Sequence, residues 1–301
     1  MLMPVGPGER EVERADDVIA SIVHHQPDVD VILLIDDAPH DRTLSELGGP
    51  GRPVAVTANP RDGSGHGLWG GLAAGMLHGY GWLHKEAQPD AVVKLDTDAL
   101  VVAPFASGVA AALADPQVGM AGTAYHHCNG EPRSFELWPW LVRRRRFPVR
   151  PFHEDNGAGP LRLRHTLWGP KAVLRRRIAA ARRRGYAYGE HCLGGSYAVP
   201  DRFLDEMARR GWFDDWSAWV PHDIGEDVCI AVYVRAVGLA LGDANRTGEP
   251  FGVEYETLPG SFEEIEAAGY AIIHSIKDQP GLTEAEIRTH FASRRAASEP
   301  A

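Results

Sequence analysis

Cysteine is scarce in this 301-residue chain: Cys128, Cys192 and Cys229 lie far apart, with no CxxC pair. That excludes a disulfide framework and a zinc knuckle, and makes a reducing, cytoplasmic compartment the expectation. No apolar run approaches the ~20 residues that a membrane-spanning helix needs. Met1–Glu9 is short and rich in Pro and Gly, unlike a secretion signal. Basic charge is not in excess either, since 31 Lys+Arg stand against 41 Asp+Glu for a formal net charge of −10. Such a surface repels a long polyanion, and no nucleic-acid-binding module is visible, so nucleic acid is not an expected partner. Internal repeats are also lacking.

What is there is the composition of an ordinary soluble globular protein, 44% hydrophobic and 24% charged. Charge is unevenly spread. Arg143–Arg184 holds 14 of the 31 basic residues and two acids, Glu154 and Asp155, a local +12 that leaves −22 for the remainder. This fits either solvated helix faces or a patch facing an anionic ligand. Overlapping it, Cys128–Arg164 has no secondary-structure period and reads as a long excursion, whose stretch Phe135–Arg164 is expected to act as a flap over a ligand.

Through the first third, apolar runs alternate with helical patterns, as in βαβ units on a parallel sheet. Strands are expected at Leu2–Val5, Val29–Ile35, Val54–Thr57 and Ala91–Leu95, with helices over Arg10 to about His25 and over Leu68–Lys85. Further on, helices are expected over Phe105–Asp115, Lys171–Arg184, Arg202–Arg210 (N-capped by Asp201) and Glu226–Val237 (closed by Gly238). Strands are expected at Gly119–Tyr125 and Tyr270–Ile273. Ser261-x-x-Glu264 and Thr283-x-x-Glu286 are capping-box patterns. One domain over 1–290 and a frayed tail over 291–301 account for the chain.

Asp96-Thr97-Asp98 closes the fourth strand. Carboxylates two apart on extended chain point the same way, and at a strand's C-terminal edge they face the crevice where α/β sheets bind ligands. They repel unless a cation joins them, and a hard divalent ion that also bridges a diphosphate suits that place. The second strand likewise runs into acids, in Asp36-Asp37-Ala38-Pro39-His40-Asp41-Arg42-Thr43.

Together these two features resemble the GT-A glycosyltransferases, many of which carry DDGSTDRT after the second strand and a DxD later. The resemblance implies an α/β fold with a Rossmann-like, mostly parallel central sheet flanked by helices and a smaller acceptor-side sheet. It implies a nucleotide-binding half over about 1–105 and an acceptor-binding half over about 106–280. It also implies transfer of a sugar from a nucleotide-diphosphate sugar, with a UDP-sugar the leading donor, to a hydroxyl or amine of a small-molecule or saccharide acceptor. Asp37 then contacts the nucleobase or ribose, Asp98 ligates the metal, and Asp96 meets the ribose or the metal through water. Replacement of GS by Ala38-Pro39 leaves these roles untouched.

Gly225-Glu226-Asp227-Val228 opens a helix and resembles the EDV of inverting fringe-type and β-1,3-N-acetylglucosaminyl transferases, whose Asp is the general base; here that is Asp227, with Glu226 placing the acceptor. A carboxylate at a helix start can be held by backbone N–H groups, although acids in a first turn also simply complement the dipole. Gly194 and Gly195 resemble the family's Gly-Gly-x-x-Tyr beside the donor sugar. His274 matches a His that completes the metal sphere in many members, and Lys277 a cation facing the diphosphate. A nitrogen ligand favours Mn²⁺ over Mg²⁺. Arg61 is expected to help shape the donor pocket. Trp219, clustered with Trp212, Phe213 and Trp216, is either an acceptor platform or a small core.

Three other readings compete. Gly65-His66-Gly67-Leu68-Trp69-Gly70 matches the dinucleotide fingerprint but follows the third strand, not the first. A DxD-type phosphatase needs its nucleophilic Asp near the N-terminus, and GEDVCIA lacks the spacing of its later acids. A carbohydrate-binding pseudo-transferase would keep the fold without the reaction.

Overall fold

The computed structural model describes residues 1–38, 44–47, 49, 51–65, 67–135, 170–222 and 224–298. Its elements run β1 (Leu2–Val5), α1 (Glu9–His25), β2 (Ile32–Asp36), β3 (Val54–Ala58), α2 (Leu72–Glu86), β4 (Ala91–Leu95), β5 (Ala99–Val101), α3 (Ala106–Ala112) and β6 (Val118–Gly122). They continue with α4 (Pro170–Arg183), β7 (Ser196–Pro200), α5 (Asp201–Arg209), α6 (Trp216–Trp219), α7 (Glu226–Val237), β8 (Ala240–Asp243), β9 (Phe251–Val253), α8 (Phe262–Ala268), β10 (Ile272–His274) and α9 (Glu284–Ser298).

The expected fold class is the one found. A seven-stranded sheet has the order β3-β2-β1-β4-β7-β6-β8, and a smaller three-stranded sheet the order β5-β10-β9. In the large sheet β7 alone runs against its neighbours, β4 and β6. β1 pairs in parallel with β2 and with β4, so the chain leaves β1 on both sides and a crevice opens at the strands' carboxyl ends.

Strand alternation sends side chains into two cores. Leu33 and Ile35 join α2 and α7 on one face, while Ile32 and Leu34 join α1 on the other. Continuous burial of β2 (Ile-Leu-Leu-Ile-Asp) follows from helices covering both faces. In α2, a Cβ on Gly79 would come within 2.7 Å of Ile35 and Leu2, so the missing side chain lets this helix lie close on β1 and β2.

Several local expectations need correction. A π-helical turn over Gly67–Gly71 precedes α2 where one continuous helix was expected. Pro200, not Asp201, is the N-cap of α5, and Asp201 sits in the first turn with its Oδ1 accepting from the Arg202 amide. The short strands β5, β7, β8 and β9 had not been expected. Nor is 291–298 frayed: α9 runs to Ser298, Phe291 is buried, and Arg295 pairs with Asp17 of α1 at 2.6 Å. The proposed flap lies outside the described residues except for Phe135, as do residues 39–43 of the acidic motif after β2 and Asp223 beside the Glu226-Asp227 pair.

Candidate active site

The crevice holds a cavity of about 860 Å³. Ten of the eleven residues singled out from sequence line it: Asp37, Arg61, Asp96, Asp98, Gly194, Gly195, Glu226, Asp227, His274 and Lys277. Trp219 does not. It is wholly buried, and its indole N–H donates to the Tyr233 hydroxyl at 3.0 Å, so of the two readings of the tryptophan cluster this residue follows the core one. Among the described residues, the tryptophan that does reach the cavity is Trp69.

One wall is built from strand ends. Asp37 follows β2 and is gripped by the Arg61 fork, Nε to Oδ1 at 2.6 Å and Nη2 to Oδ2 at 2.7 Å. Asn59, after β3, donates to the same Oδ1 at 2.8 Å. Such a bidentate pair holds both side chains in one orientation. The GxGxxG stretch beside them serves backbone packing: Gly70 N donates to the His222 carbonyl at 2.8 Å, and a Cβ on Gly65 or Gly70 would overlap the backbone of Trp219–His222.

The floor carries Asp96 and Asp98, one on each side of Thr97, and His274 from the end of β10. One donor atom from each comes within 4.8 Å of the others. His274 Nδ1 lies 2.7 Å from the Glu254 carbonyl, which can only accept, so this nitrogen carries the proton. The lone pair of Nε2 then faces Asp98 Oδ1 at 3.3 Å. Two acceptors facing each other call for a cation or a proton between them, and the Asp, Asp, His set with its outer carbonyl suits a divalent metal. A Cβ on Gly195 would overlap the His274 ring, so only glycine admits the imidazole here. Burial alone would raise Asp98, but when a proton rather than a metal sits on His274 Nε2, the hydrogen bond and charge of that ring, together with Lys277 (Nζ to Oδ2 2.7 Å), outweigh it and hold the carboxyl well below the usual range.

The opposite wall is the start of α7. Asp227 Oδ1 accepts from the Val228 amide at 2.7 Å, and Oδ2 lies 3.6 Å from His191 Nε2. Burial pushes Asp227 up to about 6, against the pull of the Val228 amide, Lys94 and Arg133. His191 is itself pushed down to about 4 by burial and by Arg133, whose Nη2 lies 3.0 Å from its Nε2. The imidazole is therefore neutral at pH 7, and Asp227 keeps its basicity. Glu226, also raised by burial, lies 3.0 Å from Lys94 Nζ.

Lys94, Asn59, His191, Arg133 and Glu254 were not singled out from the sequence. For Lys94 a signal existed, a charged residue inside the apolar run Ala-Val-Val-Lys-Leu. Asn59 and Glu254 follow β3 and β9 at once, but short polar neighbours of strands are too common to select.

No family model and no curated protein matches the chain. Among solved structures it is similar to a galactosyltransferase, LgtC, in complex with donor and acceptor sugar analogs, at 10% identity over 100% of this chain and 97% of that one, with a TM-score of 0.46. It is similar to the bifunctional glycosyltransferase WbbM at 12% identity over 99% of this chain and 49% of that one, with a TM-score of 0.49. A third is glucosyl-3-phosphoglycerate synthase from Mycobacterium tuberculosis, in complex with Mn²⁺, UDP and glucosyl-3-phosphoglycerate, at 16% identity over 81% and 68%, with a TM-score of 0.37. At such identities and scores none of them lends this chain a substrate, a metal or a residue role.

Proposed function

We propose that this chain is a metal-dependent glycosyltransferase that moves a sugar from a nucleotide-diphosphate sugar to a hydroxyl or amine, with inversion at the anomeric carbon. The observation that carries the reading is the pairing, across one cavity, of the Asp96–Asp98–His274 cluster with an acid whose basicity is raised, Asp227.

Each residue then has a task. The Asp37–Arg61–Asn59 set at the ends of β2 and β3 receives the nucleoside, a UDP-sugar being the leading donor. Asp96, Asp98 and His274 hold Mn²⁺ or Mg²⁺, which when bound neutralises charge on the leaving diphosphate. Lys277 supports the same phosphates from the rim. Gly194 and Gly195 leave room for the donor sugar against the backbone. Asp227 takes the proton from the acceptor on the face opposite the leaving group, a task typically worth ~10²–10⁴-fold. Inversion follows from a single displacement with one base.

The test is a panel of nucleotide sugars incubated with Mn²⁺, with release of the nucleoside diphosphate as the readout. Wild type should release it from at least one donor, and both Asp98→Ala and chelation should stop the release. Equal release without metal, or none from any donor, contradicts the reading.

A further inference from the structure

Lys94 is 0% exposed, at the centre of the large sheet. Its strand is locked on both sides: Leu2 of β1 and Tyr197 of β7 are its register partners, and Ser196 Oγ donates to its carbonyl at 2.7 Å. The sheet therefore sets where the ammonium lies. From there Nζ reaches three separate segments: Asp96 Oδ1 after β4 at 2.6 Å, the Gly194 carbonyl before β7, and Glu226 Oε1 at the first residue of α7 at 3.0 Å. A buried ion pair is often no more stable than a well-packed apolar side chain of the same volume. Stability alone thus gives little reason for lysine here, whereas a tie between two walls of a cavity does.

We propose that Lys94 is a positioning residue that ties the cation cluster to the start of α7, and so fixes Asp227 relative to the bound diphosphate. The inference rests on the function proposed above. Asp96 reports to one side of the ammonium and Glu226, the neighbour of Asp227, to the other. Glu226 in this arrangement acts as the anchor of α7.

Two variants separate the tie from the charge. Glu226→Gln keeps an oxygen that can accept from Lys94. Lys94→Met combined with Glu226→Gln removes one ammonium and one carboxylate together, so the formal charge beside Asp96 equals that of the native site and Mn²⁺ affinity should stay within about threefold. Turnover of the double variant should fall about 10²-fold below that of Glu226→Gln, the scale of an ångström-level misplacement of reacting groups. A second readout needs only Mn²⁺: it should slow hydrogen exchange across residues 224–232 in wild type and in Glu226→Gln, and not in the double variant. Should the methionine variant melt below assay temperature, Lys94→Leu in the same background gives the same comparison. Turnover of the double variant within about threefold of Glu226→Gln, or slowing by Mn²⁺ that survives in it, overturns this inference alone. A wild-type chain that binds no Mn²⁺ overturns the functional reading and this inference with it.

Discussion

The two walls of the cavity are made in different ways. The wall that holds Asp37, Asn59 and Arg61 comes from consecutive parallel strands, with each side chain placed by a strand end within 24 positions of the next. The wall and floor that hold His274, Gly194 and Asp227 are joined to the strand ends over long separations: Lys94 reaches Gly194 across 100 positions. The first kind of wall is a property of a βαβ fold and would exist for many ligands. The second kind is specific, because helix α7, strand β10 and a glycine pair must all arrive before two carboxylates, an imidazole and a base share one space. Chemistry should therefore depend on the part of the second wall at the start of α7 far more than ligand capture does.

The largest effect that tests this difference belongs to Asp227→Asn. Turnover should fall by ~10²–10⁴-fold in single-turnover assays, while donor affinity in the presence of Mn²⁺ stays near wild type. Loss of donor affinity along with turnover would erase the distinction between the walls. Next is Asp98→Ala, which removes one of the proposed metal ligands and the partner of both His274 and Lys277. It should weaken Mn²⁺-dependent nucleotide binding by about 10²-fold, within the range typical of perturbed metal sites, as read by calorimetry.

A smaller effect comes from pH. Asp227, held up to about 6 by burial, must be ionised to act as a base, so its activity is present above that pH and lost on acidification through it. At pH 5 about one tenth of the base is ionised, and turnover should drop about tenfold between pH 7 and pH 5. The charged and titratable groups around it, Lys94, Arg133, Asp96, Glu226 and neutral His191, set this midpoint, and Asp227→Asn should flatten the profile. The smallest functional effect should come from Trp219→Phe. Losing the indole and its bond to Tyr233 should cost about 1–3 kcal/mol in a denaturation measurement, with donor and acceptor KM unchanged because the ring does not reach the cavity. A selective rise in acceptor KM would return Trp219 to the site.

The same contrast explains what could be read from sequence. Asp37, Asp96 and Asp98 are legible because a strand end is a local pattern: an apolar run stops and acids follow. Helix α7 is legible to the residue, since Gly225 and Gly238 bound its period. His274, Gly195 and Asp227 stand out only as scattered motifs, and their meeting is a long-range fact: the His274 ring fits because position 195 has no Cβ. Lys94 is a charged residue inside an apolar strand, and nothing local shows that Gly194 and Glu226 will surround it. Strands β5 and β9 have three residues each, too few for a period to register. The tail misled by composition. Its Ala, Arg, Ser and Glu content suits a frayed end, yet Arg295 finds Asp17 on α1, 278 positions earlier.

The central claim is that the floor of the cavity binds a diphosphate only through a cation. Calorimetric titration of UDP and of other nucleoside diphosphates into wild type, with Mn²⁺ and with chelator, tests it most directly. The account predicts binding with Mn²⁺ and at least about 10²-fold weaker binding without it, because Asp96 and Asp98 repel bare phosphates at close range. Equal affinity in both conditions would contradict it.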